Sequence, residues 1–163
     1  MFRKKRTRFS QNPKEPMSLD DVDRKILSLL KEDARISFLD IGKKVNLSAP
    51  AVHARVKKLE AQKVISNYTV TLQPDALGSS LCAFIRLAKS KGTSAALAAE
   101  FQKIKQIEEC HSVAGEDCII IKLRVQSSLE LSKILDRIRE VDGIDRTNTA
   151  VVLETHFERG LQP

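Results

Sequence analysis

Two groups of residues in the sequence have side chains that could carry out chemistry. Cys110 and His111 are adjacent, and a thiol beside an imidazole is the composition of a nucleophile and its base. Successive residues of a strand point to opposite faces, however, so on the strand predicted here the two side chains could not meet. Glu154, His156 and Glu158 alternate and would share one strand face, where they could bind a metal ion. Metal ligands need supporting partners, and a solvated strand end explains this group more simply. We therefore predict no catalytic residue, no metal site and no enzyme activity.

The stretch from Ser37 to Leu59 has the pattern of a helix-turn-helix, in which two short helices are joined by a tight turn. Ser37 and Ser48 can each accept a hydrogen bond from the free backbone N–H groups that begin a helix. Apolar residues follow each serine at helical spacing, and Asn46 can adopt the left-handed backbone that ends a helix. An ordinary helical hairpin is the alternative interpretation of the same spacing.

The second helix of this pattern, Ser48 to Gln62, is the predicted recognition helix for double-stranded DNA. The residues predicted to contact DNA lie on its exposed face and flanks, and they are Ser48, Pro50, Ala51, His53, Ala54, Arg55, Lys57 and Lys58. The leading turns are small and nearly apolar, so they suit thymine methyl groups and not bidentate base contacts. Lys57 and Lys58 suit phosphate groups, which position a protein without specifying sequence. We predict modest sequence specificity that depends on deformable A·T-rich sites.

The second half of the sequence contains the pattern strand, helix, strand twice. The predicted elements are a strand from Leu81 to Ala88, a helix from Ser94 to Lys105, strands from Ile107 to Ala114 and Cys118 to Val125, a helix from Leu129 to Glu140 and a strand from Ile144 to Glu154. This is the ferredoxin-like βαββαβ arrangement, with both helices on one face of a four-stranded antiparallel sheet. Residues 150–153 are too apolar to face water on either parity, so we predict that a second subunit covers the other face.

The predicted fold class is α+β, with an N-terminal three-helix domain and a C-terminal ferredoxin-like domain. A first helix from Leu19 to Lys31, capped by Asp20 or Asp21, completes the N-terminal domain. The predicted segments are a disordered basic tail over 1–16, a winged-helix-like helix-turn-helix domain over 17–63, a linker strand over 64–78 and a ferredoxin-like oligomerisation domain over 79–163.

Charge and cysteine content narrow the class of protein. The net charge is +7, and residues 1–16 hold six of the 28 Lys and Arg residues but only one acid. The tail is therefore either an arm that adds DNA affinity or a solvated segment, with Met17 as an alternative start. Cys82, Cys110 and Cys118 match neither a disulfide framework nor a zinc spacing and predict a reducing cytoplasm. No apolar run approaches membrane-spanning length.

Four stretches together resemble the Lrp/AsnC, or feast/famine, family. They are Leu19 to Ser37, Leu47 to Ile65, Cys110 to Cys118 and Gly143 to Glu154, in the family's order and within residues 18–158. The resemblance implies a transcriptional regulator whose homodimers assemble further and whose DNA binding responds to a small amino acid. It implies no cofactor besides this possible effector.

The resemblance also implies where the effector binds, between the loop after the second strand of the effector domain and the last strand. Carried over to this sequence, these positions are Ser112, Val113, Gly115, Glu116, Asp117 and Cys118, with Thr147, Thr149, Ala150, Val151 and Val152 opposite. Many members have an aspartate where this chain has Cys118, and Asp117 is one position early. A carboxylate is the natural partner of an ammonium group, so the change affects the identity of the effector. Glycine is also usual at Asn46, Lys63 and Asn67.

Two further functions remain open at this point. An architectural protein that packs DNA without an effector would also have the nearly apolar reading face and the basic tail. A small-molecule sensor that acts on another protein is a second alternative, although the helix-turn-helix pattern argues against it.

Overall fold

The computed structural model describes residues 18–163, and the predicted basic tail over 1–16 lies outside the described residues. The chain forms two compact units. The first runs to Thr69 and includes Arg159–Pro163, and the second is Val70–Glu158.

The first unit contains the three predicted helices, α1 (Asp21–Glu32), α2 (Phe38–Val45) and α3 (Ala49–Ala61). Each begins after the side chain that the sequence indicates. Carboxylate Oδ1 of Asp20 accepts the Asp23 N–H at 2.7 Å, Ser37 Oγ accepts the Asp40 N–H at 3.1 Å, and Ser48 Oγ accepts the Ala51 N–H at 3.4 Å. These caps satisfy backbone donors that a helix start otherwise leaves free. The core between the helices consists of Ile26, Leu30, Ile41, Val52 and Val56.

The turn between α2 and α3 has the left-handed residue predicted from the sequence. Asn46 has φ 57° and ψ 46°, and the N–H of Leu47 bonds to the carbonyl oxygen of Gly42 at 2.9 Å. The Leu47 side chain then packs against the core. The turn therefore sets the start of α3 immediately against α2.

Helix α3 ends on a lysine with a left-handed backbone. Lys63 has φ 60°. Its N–H bonds to the carbonyl oxygen of Glu60 at 3.0 Å, and the N–H of Val64 bonds to that of Leu59 at 2.9 Å. This pair of bonds defines a Schellman motif, in which glycine is the usual residue at the left-handed position. A lysine there adopts a conformation that its Cβ disfavours.

Replacing Lys63 by glycine is therefore expected to stabilise the first unit by roughly 1 kcal/mol, since glycine adopts this conformation without steric cost. Urea unfolding of the full chain, followed by helical circular dichroism, measures the change. Asn46→Gly is the matched control, because asparagine already tolerates the left-handed conformation and the gain should be smaller. An equal or larger gain at Asn46 would contradict this account of the α3 terminus.

The predicted linker strand is not present in this chain. Residues 66–73 have no assigned secondary structure, and the segment ends in a 3-10 helix at Asp75–Leu77 followed by Gly78 in a left-handed conformation. A strand requires a neighbour to supply its ladder of hydrogen bonds, and alternating apolar residues do not supply one. Tyr68, Val70 and Leu72 are exposed as a result.

The second unit has the ferredoxin-like fold that the sequence predicts. Its elements are β1 (Leu81–Lys89), α4 (Ser94–Phe101), β2 (Ile107–Ser112), β3 (Ile119–Val125), α5 (Ser128–Arg139) and β4 (Ile144–Val151). The strands form one antiparallel sheet in the order β2-β3-β1-β4. Side chains from β1, β3, α4 and α5 form a single core, so both helices cover the same face.

Three elements of the second unit end two or more residues earlier than predicted. Helix α4 ends at Phe101 and not Lys105, because Lys103 and Ile104 form tight turn bonds to residues three positions earlier and Ile104 becomes buried. Strand β2 ends at Ser112, where the loop to β3 begins, and β4 ends at Val151. In each case the apolar pattern continues past the point where the backbone leaves the element.

Candidate DNA-binding surface and ligand-binding loop

Helix α3 presents a small leading turn and a basic middle to solvent. The predicted contact residues Ser48, Pro50, His53, Ala54, Lys57 and Lys58 are exposed, and Ala51 is half-buried. The opposite face of α3 holds Val52, Val56 and Leu59 in the core. The ring of His53 lies 5.4 Å from that of Phe38 at the start of α2, so His53 lies beside the other helix. The exposed face is the one that the helical spacing predicts.

Lys57 pairs with an acidic side chain, Glu60, which Tyr68 also contacts. Its Nζ donates to Oε2 of Glu60 at 3.2 Å, and the hydroxyl of Tyr68 donates to Oε1 of Glu60 at 3.0 Å. Lys57 and then Tyr68 hold the pKa of the Glu60 carboxyl below its usual range, while burial and then Glu60 raise the pKa of Tyr68. The Lys57 side chain remains 65% exposed, so its ammonium is accessible to a phosphate.

Arg55, a predicted DNA contact on the flank of α3, points towards the start of α1. Its Nη1 donates at 2.7 Å to Oδ2 of Asp20 and at 2.7 Å to Oδ1 of Asp23, both at the start of α1. The side chain of Asp23 is only 10% exposed. The ion pairs engage Nη1 and hold α3 against α1, so Arg55 positions the helix, and its side chain is only 35% exposed. The two aspartates of the first helix were the available sequence signal.

The predicted ligand loop lies between β2 and β3. The N–H of Val113 bonds to the carbonyl oxygen of Cys118 at 3.0 Å, which closes the loop, and Gly115 has φ 143° within it. Cys118 is fixed to β1, since its N–H bonds to the carbonyl oxygen of Leu87 at 2.9 Å and its Sγ donates to the same oxygen at 3.3 Å. The thiol is therefore occupied with the backbone of β1. Glu116 and Ser112 are exposed.

Asp117 is the most enclosed carboxylate of this loop. Its side chain is 17% exposed, with Oδ2 3.6 Å from Nε of Arg86 on β1 and Oδ1 3.6 Å from Nη2 of Arg146 on β4. Neither arginine is among the residues predicted from the sequence. Arg86 is the one charged residue within the apolar run of β1, which is a signal that could have identified it.

One chain does not bring all the predicted ligand residues together. Thr147 is opposite Leu87 in the register and thus near Cys118. The rest of β4 leads away from the loop. Thr149 is opposite Ile85, Ala150 is opposite Phe84 and Val151 is opposite Ala83. The N–H of Val152 bonds to the carbonyl oxygen of Cys82. At about 3.3 Å per residue, Val152 is some 17 Å along the strand from Thr147.

The remaining candidates for chemistry do not form a site. Cys110 packs against the core and burial raises the pKa of its thiol, whereas His111 is exposed and lies 3.0 Å from Glu109. Glu154 and His156 are 3.9 Å apart, but Glu158 turns to Lys122 and Arg124. Among residues 18–163, no cluster of three or more potential ligands could hold a metal ion.

The sheet face opposite the helices is partly covered by the C-terminal segment. Glu158 pairs with Lys122 and Arg124 on β3, whose side chains are each 12% exposed. A cavity of about 360 Å³ lies beside Cys82 and Phe84, under residues 152–158. Within residues 18–163, no helix has the length and apolar composition needed to cross a membrane.

A capped helix pair with an exposed basic helix, followed by a ferredoxin-like domain, defines a DNA-binding protein with a second domain for ligands or assembly. Residues 19–60 match the AsnC-type helix-turn-helix domain, and residues 82–162 match the Lrp/AsnC ligand binding domain. The chain belongs to the Lrp/AsnC family of transcriptional regulators. It is thus a regulator with a helix-turn-helix, and the prediction that it is not an enzyme is confirmed.

Relatives align along most of the chain. The HTH-type transcriptional regulator FL11 of Pyrococcus abyssi is 35% identical over 142 residues, which are 87% of this chain and 94% of FL11. The structure of Escherichia coli AsnC is 25% identical with a TM-score of 0.84, covering 90% of this chain and 99% of AsnC. The feast or famine regulatory protein of Mycobacterium tuberculosis, complexed with L-methionine, is 32% identical with a TM-score of 0.83, covering 90% and 100% of the two chains.

Proposed function

We propose that a homodimer of this chain, assembling further, presents two α3 helices to two half-sites of double-stranded DNA. The exposed face of α3 carries this proposal. Its N-terminal turn is capped by Ser48 and its side chains there are small, so the helix end can approach base edges closely. A two-fold dimer then reads half-sites related by its own axis.

The reading face divides into two roles. Ala51 and Ala54 suit thymine methyl groups, whereas Lys57 and Lys58 suit phosphates and fix the register. Arg55 is not among the contacts, because Asp20 and Asp23 hold it. The resulting preference is for deformable A·T-rich DNA.

The sheet face opposite the helices is the proposed dimer surface. Phe84 is an exposed large apolar side chain on this face, and exposed Leu153 follows the end of β4. Burying them against a second copy removes apolar surface from water, which is favourable at about 25 cal/mol per Å². The three free cysteines, Cys82, Cys110 and Cys118, fit a reducing cytoplasm as the place of action.

The effector site is the 112–118 loop together with β4 residues, completed by another subunit. Support comes from the match of residues 82–162 to a ligand binding domain and from relatives solved with L-methionine. A small amino acid bound there would change the balance between assemblies and so the spacing of the α3 helices.

An architectural DNA-packing role is the second candidate. The observations that favour it are the small, nearly apolar leading turn of α3 and the enclosure of Asp117 by two arginines. Ordered binding at one preferred site supports the regulator, and cooperative coating of any fragment supports the packing protein.

Charge reversal on α3 tests DNA binding directly. The double variant Lys57→Glu/Lys58→Glu is expected to lose at least 100-fold in DNA affinity. It should also reduce the slope of log affinity against log salt by about 3 to 4, since four phosphate contacts are lost per dimer. Fluorescence anisotropy with a labelled operator fragment measures both quantities.

The matched control is Lys103→Glu/Lys105→Glu in the second unit. Lys103 pairs with Glu100 three residues away, as Lys57 pairs with Glu60, so the control removes the same charge from a similar setting. We expect it to keep affinity within about threefold, as for a charge outside the interface. Equal losses in both variants would reject α3 as the DNA-binding element.

A further inference from the structure

We propose that Arg86 and Arg146 form a carboxylate-binding site at the 112–118 loop, so that the effector is a dicarboxylate or an acidic amino acid. This inference rests on the proposed role of the loop as the effector site and names the chemical class of its ligand. Neutral and basic amino acids are then poor effectors of this chain.

The strand register places three hydrogen-bond donors side by side. Arg86 on β1 is opposite Asn148 on β4, and Ala88 is opposite Arg146. Arg146 and Asn148 are two residues apart on β4, so they share a face of the sheet and lie about 7 Å apart. Two guanidiniums and an amide therefore converge from two neighbouring strands.

The guanidiniums have donors to spare. Each contact to Asp117 is 3.6 Å long, beyond hydrogen-bond length. In the single chain the two side chains are 53% and 62% exposed, on the sheet face proposed as the dimer surface, so a second copy would border this site. A guanidinium has five N–H donors in a planar fork that matches a carboxylate. Arg86, Arg146 and Asp117 together carry a net charge of +1, and the only other carboxylate of the loop, Glu116, is exposed.

An ammonium group would find no enclosed partner at this loop, because the exposed carboxylate of Glu116 is screened by water. It would have to approach Asp117 between two guanidiniums, and like charges repel at these distances. Cys118 has a thiol in place of a carboxylate, and this thiol donates to the carbonyl oxygen of Leu87. An anion, in contrast, meets two cations and one partly screened carboxylate.

Thermal unfolding and calorimetric titration of the full chain test the ligand class. The probes are L-glutamate, glutarate (the same diacid without the ammonium group), L-leucine and L-lysine, with sodium chloride matched for ionic strength. We expect L-glutamate and glutarate to raise the Tm saturably, because a ligand that binds only the folded state stabilises it. L-Leucine and L-lysine should leave the Tm unchanged.

Three variants then separate the anion site from an ammonium site. Arg86→Gln and Arg146→Gln are each expected to lower glutarate affinity at least tenfold. Asp117→Asn removes the competing carboxylate and is expected to raise the glutarate affinity about tenfold. At an ammonium site the same substitution would abolish binding. Arg137→Gln is the matched control, because Arg137 is an exposed arginine of α5 and is not among the converging donors; the glutarate affinity of this variant should stay within twofold.

Two outcomes overturn the inference. Binding of L-leucine or L-lysine that Asp117→Asn abolishes would mean that the loop selects an ammonium group, and the proposed effector site would stand with a different ligand. No binding of any probe would reject the carboxylate site. The charge reversal on α3 tests the DNA-binding function independently of either result.

Discussion

Gly42→Ala is expected to destabilise the helix-turn-helix by about 3 kcal/mol, at the upper end of the cost of overpacking. A Cβ at this position would lie 2.4 Å from the backbone carbonyl oxygen of Leu47 and 3.4 Å from its carbon. Leu47 is also bonded through its N–H to the carbonyl oxygen of Gly42 at 2.9 Å. Because the obstacle is backbone, no rotamer change relieves the clash, and either α2 or the start of α3 must move.

Urea unfolding of the full chain, followed by helical circular dichroism, measures this loss. Gly160→Ala is the control, because a Cβ there has nothing within 4 Å. The control should change stability by less than about 0.5 kcal/mol, as surface substitutions usually do. DNA affinity should fall in Gly42→Ala even where the protein remains folded, since α3 is displaced. If Gly42→Ala were as stable as the control, the close approach of Gly42 to the carbonyl of Leu47 would be contradicted.

Arg55→Gln is expected to destabilise the first unit by about 2 kcal/mol, because it leaves the nearly buried carboxylate of Asp23 without its cation. Both contacts to Arg55 are 2.7 Å long and join α3 to the start of α1. Arg24→Gln is the control, since Arg24 is an exposed neighbour on α1. A double-mutant cycle with Asp23→Asn should show a coupling of at least about 0.5 kcal/mol, as expected for residues in direct contact.

The effect of Arg55→Gln should depend on pH. The Asp23 N–H and then Arg55 hold the pKa of Asp20 below its usual value of 3.8. A lowered folded pKa gives stability that is present above the unfolded pKa and is lost as pH falls through the folded one. The difference between wild type and variant should therefore be full near pH 6 and narrow below pH 4. Unchanged stability together with lost DNA affinity would instead place Arg55 on the DNA.

Local signals predicted the first unit well. Ser37, Ser48 and Asp20 cap helices because their side chains bond to backbone N–H groups three residues away, and Asn46 ends α2 by its own conformation. Such contacts depend only on neighbouring residues, so the sequence contains them. The alternation of strands and helices in the second half likewise predicted the ferredoxin-like fold.

Contacts between distant residues could not be predicted in this way. Arg55 reaches α1 across more than thirty residues, and its helical position alone placed it on a flank. Arg86 and Arg146 come together through the β1–β4 register, which is shifted by an irregularity between Ala88 and Lys89. A shift of one residue in register exchanges the two faces of a strand, so the pairing that forms the proposed carboxylate site needed the structure.

Selection of binding sites from random duplex DNA by the full chain tests the central claim most directly. The reading face of α3 predicts an enriched site made of two short A·T-rich half-sites, separated by about 10 base pairs or a multiple of this. Enrichment should be lost in Lys57→Glu/Lys58→Glu and retained in Lys103→Glu/Lys105→Glu. A pool without enrichment, or a long G-rich consensus, would contradict the proposal that α3 reads DNA in this way.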